Sequence, residues 1–216
     1  MITLEIFADP ICPWCYIGKT RLDRALATLP GHPFQISWYP FQLNPDMPED
    51  GMDRRAYLEA KFGGKDAAVR AYAEIAATAE ADGIPMDLAA IDRTPNTINA
   101  HRVIFWAGVE GYQDAMVDAL YTAYFCDGRD IGDIDVLADL ADSVGMNAAL
   151  ILRLLKSDID KAEIRKADQA ARKMGVDAVP TFIVAGAHAV PGAQPTALWQ
   201  QVLTELAEGA AADSAN

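Results

Sequence analysis

Strand-like sequence lies only at the two ends of this chain, and the stretch between them, from about Gly51 to Gly145, reads as helices only. Residues 2–8 (ITLEIFA) alternate and are β-rich until Asp9-Pro10 breaks the run. Residues 34–39 (FQISWY) repeat the pattern and are closed by Pro40, while residues 181–184 (TFIV) and a short partner at 188–190 supply the rest. Two strands flanking one helix cannot bury both faces of a sheet, so the N-terminal part needs the C-terminal strands. The expectation is one mixed sheet in an α/β fold. Residues 1–50 and 146–216 form a discontinuous unit, and residues 51–145 stand out as a large all-helical insertion.

Helical periodicity marks residues 53–62, 65–81, 95–109, 112–125 and 134–144 within the insertion, then 148–156, 159–174 and 195–207. Thr94-Pro95 is expected to cap the third of these, Asp133 the fifth, and Gly145 lies just past its end. The Ala-rich tail from Glu208 to Asn216 is expected to fray.

The chemistry of the chain starts at its cysteines. There are three, and two of them form Cys12-Pro13-Trp14-Cys15 between the first strand and the helix that follows. Unpaired N–H groups and the positive end of the helix dipole favour a thiolate in such a place. Cys15 lies on an apolar stripe with Leu22, Ala25, Leu26 and Leu29, whereas Lys19, Arg21, Asp23 and Arg24 fall elsewhere. Cys12 is therefore expected at the exposed mouth of the helix. That asymmetry suits thiol–disulfide exchange, in which an accessible sulfur attacks and a second one expels the product. Pro13 stiffens the first turn, and Trp14 offers an apolar face to a partner. A zinc site would need two further ligands, and Cys126, His32, His101 and His188 form no second ligand pair, so no metal is expected.

Val179-Pro180 precedes the third strand and follows a long helix. In a chain with a helix-opening cysteine pair this is the thioredoxin layout, where a cis proline packs against the cysteines. Val179 then offers strand-like hydrogen bonds to a bound peptide or glutathione.

The formal net charge is −13, which argues against nucleic acid or an anionic membrane as the main partner. Most of the acidic excess falls within residues 51–145, so a neutral or positive field is expected around the pair. The strongest apolar run, residues 103–109, is far below the roughly 18 residues a membrane span needs. The first ten residues lack the charge and apolar pattern of a secretory signal, so the cytoplasm is the expected compartment.

Six blocks in order carry a family resemblance. They are Cys12-Pro13-Trp14-Cys15 with Tyr16-Ile17-Gly18; Phe41-Gln42-Leu43-Asn44-Pro45; and Pro95-Asn96-Thr97 through Ala100-His101-Arg102. Gly128-Arg129-Asp130-Ile131, Val179-Pro180-Thr181-Phe182 and Gly192-Ala193-Gln194-Pro195 complete the set. Together they resemble the FrnE-like branch of the DsbA family over nearly the whole chain. The resemblance implies a thioredoxin-like fold with a helical insertion and thiol–disulfide oxidoreductase, or isomerase, activity without a bound cofactor. It makes Cys12 the nucleophile, Cys15 the resolving cysteine of a redox-active disulfide, and Pro180 the cis proline. Protein or small-molecule thiols and disulfides are the implied partners, with glutathione a candidate co-substrate and the assembly left open between monomer and homodimer.

Two other function classes stay open. Kappa-class glutathione transferases and 2-hydroxychromene-2-carboxylate isomerases are similar in scaffold but usually place serine where this chain has Cys12. A related activity on a small aromatic or polyketide-like substrate is the first alternative, and a non-catalytic scaffold the second. His101, near Asn96 and Asn99, is expected in a buried network, or in a substrate groove if the insertion folds over the cysteines. Pro13, Trp14, Val179, Thr181 and Gln194 are the other candidate substrate contacts. Cys126 reads as a lone small hydrophobe, and Trp38, Trp106 and Trp199 as core.

Overall fold

The computed structural model describes residues 1–214, with side chains described through Leu206. Strand β1 (Ile2–Ala8) leads into helix α1 (Pro13–Leu26) and strand β2 (Phe34–Pro40). Strand β3 (Met52–Asp53), α2 (Arg54–Phe62), α3 (Lys65–Ala81), strand β4 (Arg93–Thr94), α4 (Ile98–Glu110) and α5 (Gln113–Tyr121) follow. A π-helical turn at Thr122–Cys126 continues α5, and then come α6 (Ile134–Ser143), α7 (Ala148–Leu155) and α8 (Lys161–Lys173). The chain returns to the sheet through β5 (Thr181–Val184) and β6 (His188–Pro191), and ends in α9 (Thr196–Ser214).

The main sheet has the order β2-β1-β5-β6, so both ends of the sequence build it. β1 runs parallel to β2 and antiparallel to β5, with Ile6 opposite both Trp38 and Phe182. A parallel pair needs a crossover, and α1 supplies it. Alternation along β1 sends Leu4, Ile6 and Ala8 into the main core with Ile17, Leu22 and Trp199, while Phe7 joins Phe41, Ala171 and Val176 against α8. Phe182 and Trp199, both fully buried, meet edge to face at 4.8 Å. The apolar core is continuous between this layer and residues 51–145, whose Trp106, Leu120, Tyr121 and Phe125 belong to it.

The middle segment is not purely helical. β3 and β4 pair antiparallel, with Met52 opposite Thr94. Two residues are too few to show alternation, so this ladder left no pattern in the sequence. It also moves the start of α4: Thr94 is a strand residue, and the helix begins at Ile98 after Thr97. Asp133 caps α6 as expected, its side chain accepting from Asp135 N–H. Helix α9 runs past Ala207 to Ser214, correcting the expected frayed tail; the last two residues of that tail lie outside the described residues. Among the described residues no helix is long and apolar enough to cross a membrane.

Candidate active site

Strand β1 delivers the chain to Asp9, and the loop Asp9-Pro10-Ile11 folds so that Cys12 N–H donates to the Asp9 carbonyl at 2.9 Å. Cys12 is the residue before the helix (φ −88°, ψ 112°), and Pro13 opens α1, where its missing N–H costs nothing. The Cys12 carbonyl accepts from Cys15 and Tyr16 N–H, which fixes the turn holding the two sulfurs. Both cysteines are free thiols.

From the other end of the chain, Val179-Pro180 enters the same place. Its peptide bond is cis, and Cys12 Sγ donates to the Val179 carbonyl at 3.6 Å. Gly18 allows this approach: a Cβ there would stand 3.0 Å from Pro180 Cγ and 3.4 Å from Ala193 Cα. The Pro180 carbonyl accepts from Gly192 N–H at 2.7 Å, so three of the recurring sequence blocks meet at one corner.

Cys12 is only 4% exposed, which corrects the expectation that it stands at an open mouth. Periodicity along α1 could not show the loops that fold back over it from the C-terminal part. Cys15 is buried too, and burial pushes its thiol well above its ordinary range. A hydrogen bond to Cys12 and the charges of Cys12 and Asp9 push the same way, while the Asp9 N–H opposes them. Tyr121, 1% exposed, stands near the pair: burial, and then the charges of Cys15, Cys12 and Asp9, push its phenol well above the ordinary range.

Beneath the pair lies a carboxylate that the sequence pattern marks only as a strand breaker. Asp9 is fully buried, with Oδ2 accepting from Leu43 N–H at 2.7 Å and Oδ1 from Ile11 N–H at 3.4 Å. Its pKa is pushed up to about 7, because burial outweighs the hydrogen bonds from Leu43, Ile11 and Thr97 and the charge of Lys61. His101 Nε2 lies 3.8 Å from Oδ1, too far for a hydrogen bond, and has no other partner. Burial pushes His101 down to about 4 despite its bond to the Phe41 carbonyl, so the imidazole is neutral at pH 7.

The Phe41-Gln42-Leu43 block threads between two acids: Leu43 N–H goes to Asp9 and Gln42 N–H to Asp168 Oδ1 at 2.7 Å. Arg102, fully buried, explains its own block, since it binds the carbonyls of Leu154, Leu155, Ser157 and Ile159 and ties α4 to the end of α7.

Two cations of α1 are paired with carboxylates. Lys19, which the helical stripe leaves outside, is 1% exposed, because Asp23 and Asp118 each reach its Nζ at 2.7 Å and Asp114 at 3.4 Å. Arg21 is held by Asp82 at 2.6 Å. Arg24 instead donates to the Asp82 carbonyl at 2.6 Å, and Asp9 adds a buried acid beneath the sulfurs.

The remaining candidates fall into two groups. Pro13 is buried and Trp14 half-buried beside the cysteines, and Val179 faces Cys12. Thr181 is turned inward, its hydroxyl on the Ala178 carbonyl; Gln194 caps the Pro191 carbonyl; and His101 is 3% exposed. Cys126 is half-buried, donating to the Pro85 carbonyl at 3.1 Å and touching Tyr16 Oη at 3.7 Å. Among the described residues no three His, Cys, Asp or Glu side chains gather as a metal site.

A cysteine pair at the start of a helix, faced by a cis X-Pro bond on a four-stranded mixed sheet, defines a thioredoxin-type protein. Residues 3–204 match the model of the DSBA-like thioredoxin domain, and the chain belongs to that family. It is similar to the probable DsbA oxidoreductase SCO1869 from Streptomyces coelicolor: 31% identity, TM-score 0.84, 95% of this chain and 89% of that one. A 2-hydroxychromene-2-carboxylate isomerase shares the fold at 16% identity and TM-score 0.74, over 97% and 98% of the two chains. The cytosolic disulfide reductase DsbM from Pseudomonas aeruginosa, solved with glutathione, does so at 18% identity and TM-score 0.66, over 95% and 99%.

Proposed function

We propose that this protein catalyses thiol–disulfide exchange through Cys12 and Cys15. The observation that carries the reading is the placement of Cys12 Sγ at the start of α1 against the Val179 carbonyl. A strand-like substrate bound along Val179 brings its sulfur to that of Cys12, with Pro13 and Trp14 as flanking contacts.

In the reductive direction, the Cys12 thiolate attacks one sulfur of a substrate disulfide. The S–S bond breaks, and the leaving sulfur departs as a thiolate that takes a proton from solvent. Cys15 then gives its proton to Asp9 and attacks Cys12 Sγ, which releases the second substrate thiolate and leaves a Cys12–Cys15 disulfide. The substrate gains two electrons and the cysteine pair loses two. Oxidation of a dithiol substrate is the same sequence reversed.

Protein or small-molecule thiols fit as partners. Glutathione is the small thiol we favour for returning the pair to its starting state, and the cytoplasm the setting, by analogy with DsbM, a cytosolic disulfide reductase solved with glutathione. No bound cofactor enters this cycle. Cys15→Ser protein incubated with glutathione disulfide is expected to accumulate a glutathione adduct on Cys12, read by mass spectrometry of the intact protein and its peptides. If no adduct forms on Cys12, the redox reading is wrong. Turnover of a glutathione-dependent aromatic isomerisation that survives Cys12→Ser would support the isomerase-type reading in its place.

A further inference from the structure

We propose that the cavity between β2, α4, α5 and α8 is a binding site for an uncharged, flat hydroxyarene. It encloses about 480 Å³, a volume suited to a small molecule, and neither Cys12, Cys15 nor Pro180 lines it. Its inner wall is apolar and buried, with Trp38, Ile104, Leu120 and Ile164. Tyr39, Phe105 and Val109 stand at the opening and are 38%, 45% and 76% exposed. Two aromatic rings and a valine left in water around an apolar cavity mark a place where an apolar partner gains contact area.

Two observations decide the class of occupant. An extended peptide could add to a free sheet edge, but β2 is closed where it meets the cavity. Gln113 Oε1 accepts from Trp38 N–H at 3.0 Å, Gln113 Nε2 donates to the Trp38 carbonyl at 3.2 Å, and Pro40 has no N–H to give. Gly108 makes room for this clamp, since a Cβ there would stand 2.9 Å from Gln113 Nε2. The site is therefore sealed against strand addition and open to a ring.

Charge supplies the second observation. Glu163 is the only acid or base of fixed charge along the lining, which has no lysine or arginine, so an anion would meet a carboxylate and no counter-charge. The floor holds His101, whose buried Nε2 has no hydrogen-bond partner and stands 3.8 Å from Asp9 Oδ1. A ring hydroxyl is the donor that satisfies it at no cost in charge. Tyr121, also on the floor, is near Cys15, which itself does not line the cavity.

The test uses the full-length reduced protein titrated with naphthol by calorimetry at neutral pH. Saturable binding to one site is expected, about tenfold weaker for naphthalene and absent for naphthoate. Cys12→Ser should bind naphthol as tightly as the parent, which keeps the outcome independent of the redox reading. Ala167→Phe, filling the cavity from α8, and Val109→Glu, at the exposed opening, should each weaken binding about tenfold or more. The surface position of Val109 keeps the test decisive if the larger core substitution unfolds the protein. Absence of saturable binding overturns the proposal, as does binding lost in Cys12→Ser, unchanged in Val109→Glu, or equal for naphthol and naphthoate.

Discussion

Two buried carboxylates hold the same loop by adjacent N–H groups, and they are provided for in opposite ways. Asp168 accepts from Gln42 N–H and is paired with Arg172, whose Nε and Nη2 each reach it at 3.0 Å. Asp9 accepts from Leu43 N–H, one residue later, and the nearest base is a neutral histidine at 3.8 Å that makes no hydrogen bond to it. A buried carboxylate bound by a bidentate guanidinium acts as a fastener. A buried charge without one is free to take a proton in the range where thiols react. Asp9 lies beneath Cys15, whose proton must leave before the attack proposed above, and Asp168 lies on α8 with the loop between.

The largest expected effect comes from the missing cation. Asp9 binds its proton more tightly when folded, at about 7 against an ordinary 3.8, so the folded state holds more protons between those values. Stability then falls as pH rises from about 4 to about 7 and stays reduced above, by up to about 4 kcal/mol. His101, Cys15, Tyr121, Tyr124 and Lys61 face this group, and His101 stays neutral across the upper part of that window. Asp9→Asn should therefore be more stable than the parent at pH 8, with the gap shrinking toward pH 4, in urea denaturation at a series of pH values. Its resolution step, followed by stopped-flow release of thiol from a mixed disulfide, should lose any inflection near pH 7. A parent stability that does not fall across this window would place Asp9 with Asp168 as a fastener.

Asp168→Asn is the counterpart, and its effect should be smaller and of opposite sign. The change strands Arg172 and weakens the acceptor for Gln42 N–H. Arg172 is partly exposed, so a loss of about 2–3 kcal/mol is expected, below the full range for a buried pair. The pH profile of resolution should keep its shape. A shifted inflection would show that the two acids are coupled through the Phe41–Leu43 loop.

The contrast between these acids also shows what a sequence can carry. Cys12 and Cys15 are legible because their chemistry is local: four residues between a strand and a helix already place both sulfurs on one turn. Val179-Pro180 is legible because proline before a short strand has few roles, and the mixed sheet because each strand shows its own alternation. Asp9 is not legible as an acid under the site, since its burial is produced by Leu43, Thr97 and His101, far away in the chain. Lys19 falls off the apolar stripe of α1 and is buried nonetheless, because two of its three acids come from α5. Cys12 is buried for the same reason, although the apolar stripe of α1 leaves it outside. Periodicity reports which face of an element is apolar, and it is silent on which other elements close over that face.

Tyr121 gives the smallest expected effect and the finest division of roles. In the cycle proposed above Asp9 takes the proton of Cys15, and the phenol near that sulfur offers its thiolate one hydrogen bond. Tyr121→Phe keeps the ring and the core volume and removes one hydrogen bond, which is worth about 1 kcal/mol or roughly fivefold in the rate of resolution. That loss should be the same across the neutral range, because a phenol whose pKa burial pushes far up does not titrate there. Asp9→Asn should instead change the shape of the profile. If Tyr121→Phe also removes the inflection near pH 7, the proton of Cys15 leaves through the phenol, and Asp9 only sets the local charge.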